Sequence, residues 1–170
     1  MRVLLSWVSG LVLVATFSVI VIWCIIFRAN CSGYLKRAAD ANSIEMALCE
    51  LNTALAYIEK EGFTEGYTSV IYKTPDEDIG FWYANIKSSY EELSQIDPNA
   101  TALEKSNALM KLRETLLDQG QKGERITLPS GTSRYPYNGL MGTILLLSAT
   151  LFIISLLGAG YSCSIEITEE

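Results

Sequence analysis

Residues 3–27 form a run of 25 amino acids without one charged side chain. The hydrocarbon core of a bilayer is roughly 30 Å thick and takes about 20 helical residues at about 1.5 Å each. The run is long enough to cross a membrane as a tilted helix. A second run, residues 140–161, adds 22 uncharged residues near the other end. Between them, residues 28–138 hold 12 of the 13 Lys and Arg and 16 of the 19 Asp and Glu. Two apolar ends around one charged middle predict a mainly α protein. Transmembrane helices at 3–27 and 140–161 flank a small, roughly three-helix domain at 28–138, with room for a short two-stranded β element, and 162–170 is a short acidic tail.

The first run does not read as a cleaved signal. A signal's apolar region is shorter, about 7–15 residues, and closes on small residues. This one closes on Trp23, Ile25, Ile26 and Phe27. Ser6 with Gly10, and Ser155 with Ala159, have the spacing that lets membrane helices approach closely. Ordinary lipid-facing helices carry the same spacing.

Within the middle segment, Ser32 and Gly33 suggest a bend. A helix is then expected from about 35 to 61, because Ala41, Ile44, Leu48, Leu51, Leu55 and Ile58 recur at alternating steps of three and four. Gly62 follows as a helix-ending residue. Tyr67, Thr68, Ser69, Val70, Ile71 and Tyr72 are β-branched and aromatic enough for a short strand. Thr74, Pro75 and Glu77 have the pattern of a capping box opening a helix to about 96. Its apolar face would be Ile79, Trp82 or Tyr83, Ile86, Tyr90 and Leu93. A second capping-box match, Thr101 with Glu104, opens a helix to about 119, closed by Gly120. A strand over 125–129, paired with 67–72, would complete the β element.

The residue inventory points away from most chemistry. The chain has no His, which removes the commonest general base and metal ligand. Asp76, Glu77 and Asp78 are adjacent, but successive helical side chains point about 100° apart and do not converge on one ion. The four cysteines, Cys24, Cys31, Cys49 and Cys163, lack the spacing of a zinc site. A straight helix would hold Cys31 and Cys49 roughly 27 Å apart, beyond disulfide reach. No nucleophile elbow, phosphate-binding loop or dinucleotide fingerprint occurs. No enzyme activity, cofactor or metal is therefore expected. No basic block marks a nucleic-acid partner. Asn30 and Asn99 begin glycosylation sequons, which matter only in a eukaryotic lumen.

Three successive aromatics, Phe81, Trp82 and Tyr83, cannot all share one helix face. At least one is expected on the edge or surface, and with Tyr67 and Tyr72 they are the candidate partner-binding residues. The expected function is an integral membrane accessory or scaffold subunit. Its partners would be the lipid bilayer and a protein, or a second copy of itself. A membrane-anchored ligand sensor, acting through a partner's transmembrane helices, is the alternative. A pore is disfavoured because the two runs offer few polar groups to line a water path. Arg28, Lys36, Arg37, Lys122, Arg125 and Arg134 lie near the runs and favour a cytoplasmic domain. The margin is narrow, because a loop this long can translocate regardless of its charge.

Overall fold

The computed structural model describes the backbone of residues 2–120 and 123–168, and the side chains of 7–118, 125–155 and 157. The chain is mainly helical with a small two-stranded sheet, and divides into two compact units. One comprises residues 1–23 and 137–170; the other is residues 24–136.

The first unit is built from α1 (Arg2–Phe27), up to Trp23, and α6 (Asn138–Thr168). The two helices pair antiparallel. Trp23 lies 5.8 Å from Tyr137, ring to ring, and a Cβ at Gly10 would sit 3.4 Å from the Phe152 ring. Among the described residues of this unit the fully buried ones are small and polar, Ser9, Thr16, Ser148 and Ser155, with Leu13, Ile20 and Phe152 half-buried beside them. Ser9 and Thr16 are seven residues apart, as are Ser148 and Ser155, the repeat of a packed two-helix seam. The hydroxyls of Thr16, Ser148 and Ser155 donate to the carbonyls of Val12, Leu145 and Phe152 on their own helices, at 2.8, 3.1 and 3.0 Å. The large side chains Trp7, Leu11, Val14, Phe17, Leu146, Leu147, Ile154 and Leu157 point outward. Both helices are long and apolar enough to cross a membrane. Gly10 and Ser155 thus sit where the helices touch. The side chains of Ser6, Ala159 and Cys163, and residues Glu169 and Glu170, lie outside the described residues.

The second unit is a helical domain. The helical path does not bend at Ser32 and Gly33. It passes through a π turn, Arg28–Ser32, into α2 (Gly33–Ala39). The Gly33 N–H bonds to the Arg28 carbonyl, and a Cβ there would lie 2.7 Å from that oxygen. The glycine admits the wider turn instead of breaking the helix. Phe27, Cys31, Leu35, Ala38 and Ala39 then fall on one buried stripe.

The single helix expected over 35–61 is two. The chain leaves α2 at Asp40 and restarts at α3 (Ile44–Glu61), where Ser43 is extended and its side chain accepts from the Met46 N–H at 3.2 Å. A hydroxyl that bonds nearby backbone favours a cap over a helix interior, and it outweighs the continuous periodicity. The expected stripe survives within α3: Ile44, Leu51, Leu55 and Ile58 are buried, with Ala47 and Ala54 beside them. Gly62 ends the helix at φ 75°, and the Phe63 N–H closes on the Ile58 carbonyl at 2.9 Å. That turn drops Phe63 into the core.

The next helix also starts later than its sequence signal. Pro75–Glu77 is one 3-10 turn, and Asp78 caps α4 (Ile79–Ser94), accepting from the Phe81 N–H at 3.1 Å. Thr74 instead donates its hydroxyl to the Glu77 carboxylate at 2.7 Å. The cause is tertiary: Asp78 bridges to Tyr67, and the Thr68 N–H bonds to the Glu77 carbonyl at 3.0 Å. These bonds need extended backbone at the point where a Thr74-capped helix would already be running. Ile79, Trp82, Ile86 and Leu93 form the buried face of α4.

The final helix, α5 (Ala102–Leu116), has the capping box expected at Thr101 and Glu104. It ends three residues before the expected 119. Gly120 does not close it; residues 117–120 form β1 (Leu117–Gly120), paired antiparallel with β2 (Gly123–Ile126). The strand expected over 125–129 therefore pairs with 117–120 and not with 67–72. Glycines at both ends of the turn suit a tight hairpin, and burial of Leu116 and Leu117 holds its first strand in place.

The Glu104 carboxyl lies below its usual value because the Thr101 N–H and hydroxyl both donate to it, each at 2.8 Å. A lowered folded-state value gives stability that is present above the unfolded value and lost as the pH falls through the folded one. Glu104→Gln should therefore melt below wild type at neutral pH. The gap should close as the pH drops through and below the ordinary carboxyl range. Thermal melts of both proteins across pH 2 to 7, roughly that range, check this; a gap constant with pH would refute it.

Candidate partner-binding surface

The five candidate aromatics separate once the fold is known. Trp82 is a core residue: it is 6% exposed, and its indole N–H donates to the Thr127 carbonyl at 3.0 Å. That bond ties the β-hairpin exit to α4. Tyr83 is half-buried and engaged within the domain. Its hydroxyl donates to Glu59 at 2.6 Å and accepts from Lys87 at 3.1 Å, joining α4 to α3. The Tyr83 hydroxyl, with Glu59 and Glu91 nearby, holds the Lys87 ammonium above its usual value. Trp82 is thus enclosed, while Tyr83 stays partly exposed with its hydroxyl engaged.

Phe81, Tyr67 and Tyr72 remain outward. Phe81 is 65% exposed and shares one open groove with Tyr67, Lys73, Pro75 and Asp78. Lys73 lies 5.2 Å over the Tyr67 ring. Two residues absent from the expected set join them: Val70 and Ile71 are 60% and 82% exposed, beside Tyr72 at 78%. Their β-branched character suggested a strand. The Tyr67 to Asp78 bridge and the Thr68 to Glu77 bond anchor only its start, and beyond them the segment is a loop with Val70, Ile71 and Tyr72 exposed. Three successive large residues before a proline-opened turn were the available signal.

A second exposed apolar group lies on α5. Leu103 and Met110, seven residues apart on one helix face, are both exposed, as is Met46 at the start of α3. Met110 and Leu109 border a groove of about 520 Å³ that includes Ile44 and Ala41. Ion pairs between Arg113 and Asp40, at 3.5 Å, and between Lys111 and Glu92 lie on the same helix. Exposed pairs of this kind each contribute roughly 0–1 kcal/mol and serve mainly to fix helix register.

Cys31 is buried in the core and Cys49 is exposed; both are free thiols. Among the described residues, no three His, Cys, Asp or Glu side chains gather in a way that could hold a metal ion. No family model, curated protein or solved structure matches the chain.

Proposed function

We propose that this chain is a two-span integral membrane protein that acts as an accessory or scaffold subunit, its helical domain engaging a protein partner. The observation that carries the membrane reading is the reversed burial of the helix pair. Water-soluble proteins turn large apolar side chains inward. Here the fully buried positions are serines and a threonine, while Trp7, Leu11, Val14, Phe17, Leu146 and Ile154 face out. An apolar surface of that extent is stable only under lipid or another protein. The hydroxyls of Thr16, Ser148 and Ser155 bond to carbonyls of their own helices, so they are satisfied without water. Trp23 and Tyr137 pair at one end of the helices, where amphipathic rings favour the headgroup level. The Lys and Arg bias supports a cytoplasmic domain.

The scaffold reading is supported by what the domain leaves uncovered. Leu103, Met110 and Met46 are exposed, Met110 lines a groove of mixed polarity with Ile44 and Leu109, and flexible thioethers suit adaptable protein contacts. Full-length protein with a photocrosslinking residue at Met110, expressed in its native membrane, tests this. A discrete, saturable adduct that is lost in a Leu103→Asp background is expected. Absence of any adduct at Met110 would remove the partner reading, and release of the protein by alkaline carbonate would remove the two-span reading.

A further inference from the structure

We propose that the groove between residues 67–78 and the start of α4 is a docking site for a basic protein segment, whose arginine side chains meet the rings of Phe81 and Tyr67 and the carboxylates of Asp76 and Asp78. The inference rests on the scaffold reading and names the chemistry of a partner. Every residue of the site belongs to the helical domain.

The root of the loop is tied down by its own backbone. The Thr68 N–H bonds to the Glu77 carbonyl at 3.0 Å, and the Ile79 N–H to the Gly66 carbonyl at 2.9 Å. Gly66 has φ 101°, and a Cβ there would collide with the Tyr135 hydroxyl, which donates to the Glu65 carbonyl at 2.9 Å. A Cβ at Gly80 would sit 3.6 Å from the Glu65 Cα, so the start of α4 lies close against the same strand of chain. On this base Tyr67, Pro75 and Phe81 line a groove of about 250 Å³ together with Lys73 and Asp78. Beyond the root, the main chain from Ser69 to Lys73 makes no hydrogen bond among the described residues, and Val70 and Ile71 are exposed.

Charge says what fits there. Residues 65–81 carry Glu65, Asp76, Glu77 and Asp78 against Lys73 alone, whereas the rest of residues 28–138 holds 11 basic and 12 acidic side chains. The negative excess of the domain is thus concentrated around exposed aromatic rings. The face of the Tyr67 ring already takes a cation from its own chain, the Lys73 ammonium 5.2 Å away. A ring flanked by carboxylates attracts a cation by its quadrupole and by Coulomb force together. Arginine suits both better than lysine, because its planar guanidinium stacks on a ring and reaches a carboxylate in the same plane. A segment that alternates arginine with β-branched residues would meet the carboxylates and cover Val70 and Ile71.

The test uses the full chain in uncharged maltoside micelles and a fluorescent peptide, Gly-Arg-Val-Arg-Ile-Arg-Val-Arg-Gly, with versions carrying Gln or Glu in place of every Arg. Anisotropy should show saturable binding of the arginine peptide, about tenfold weaker binding of the glutamine one, and none of the glutamate one. Salt at about 1 M, where the screening length is about 3 Å, should bring the arginine peptide to the level of the glutamine one. Asp76→Asn and Phe81→Ala, both at exposed positions, should each weaken it severalfold, and Lys73→Gln should strengthen it by vacating the Tyr67 ring. Equal binding of all three peptides, or arginine-peptide binding indifferent to Asp76→Asn and Phe81→Ala, overturns the site. So does binding lost only in Leu103→Asp, which would place the peptide on α5. No peptide binding by protein that still gives the Met110 adduct overturns the site and leaves the scaffold reading intact; loss of both removes both.

Discussion

Trp82→Ala should cost the domain about 3–5 kcal/mol, the usual range for emptying a buried aromatic site. The side chain is almost wholly enclosed, packs among the residues of the α4 face, and carries the hydrogen bond that docks the hairpin exit. Domains of this size are stable by about 5–15 kcal/mol in total, so the variant should sit near the edge of folding. In a domain of about 110 residues, the midpoint should fall by on the order of 15 °C. Trp82→Phe separates the contributions. It keeps most of the apolar volume and removes only the donor to Thr127, for a loss of about 1–3 kcal/mol. Chemical unfolding in mild detergent, followed by circular dichroism, reads both values. If the alanine variant lost less than about 1 kcal/mol, Trp82 would be a surface residue after all and the assignment of the core would be wrong.

Val14→Arg is the second large effect. Val14 is 66% exposed on the outward face of α1, near the middle of the apolar run. In water an arginine there would be harmless, because a surface position accepts charge. In lipid the same change should reduce insertion by about 2.5–3.5 kcal/mol, roughly 70- to 400-fold in the partition between inserted and excluded chain. The inserted fraction after expression into microsomes, measured by resistance to carbonate, distinguishes the two. Val14→Leu should leave it unchanged. An arginine variant as firmly retained as wild type would contradict lipid exposure of this face.

The elements legible in the sequence were those fixed by local chemistry or by an uninterrupted pattern. The two apolar runs, the stripe on α3, the face of α4, the stop at Gly62 and the box at Thr101 all appear where their residues indicate. What escaped was decided by distant contacts or by competing local signals. Thr74 and Pro75 carry every mark of a helix start, yet the bridge between Tyr67 and Asp78 delays that start to Ile79. Ala41 continues the α3 periodicity, but Ser43 caps and divides the helix. Gly33 reads as punctuation, but it serves a π turn. At the candidate surface, the sequence indicated that three adjacent aromatics must diverge. It could not say which of them would turn inward, because the acceptor for Trp82 comes from Thr127, 45 residues away. Val70 and Ile71 were missed because strand propensity is realised only where a neighbouring strand is available.

A hydroxyl bonded to its own helix keeps that bond wherever the helix goes. Thr16 and Ser148 are satisfied in this way, so separating α1 from α6 would leave both of those hydroxyls bonded. Gly10 against the Phe152 ring, and Trp23 against Tyr137, supply van der Waals contact between the two helices. At these two positions the helix pair can open, and either helix can meet a similar surface on another chain, without baring a hydroxyl.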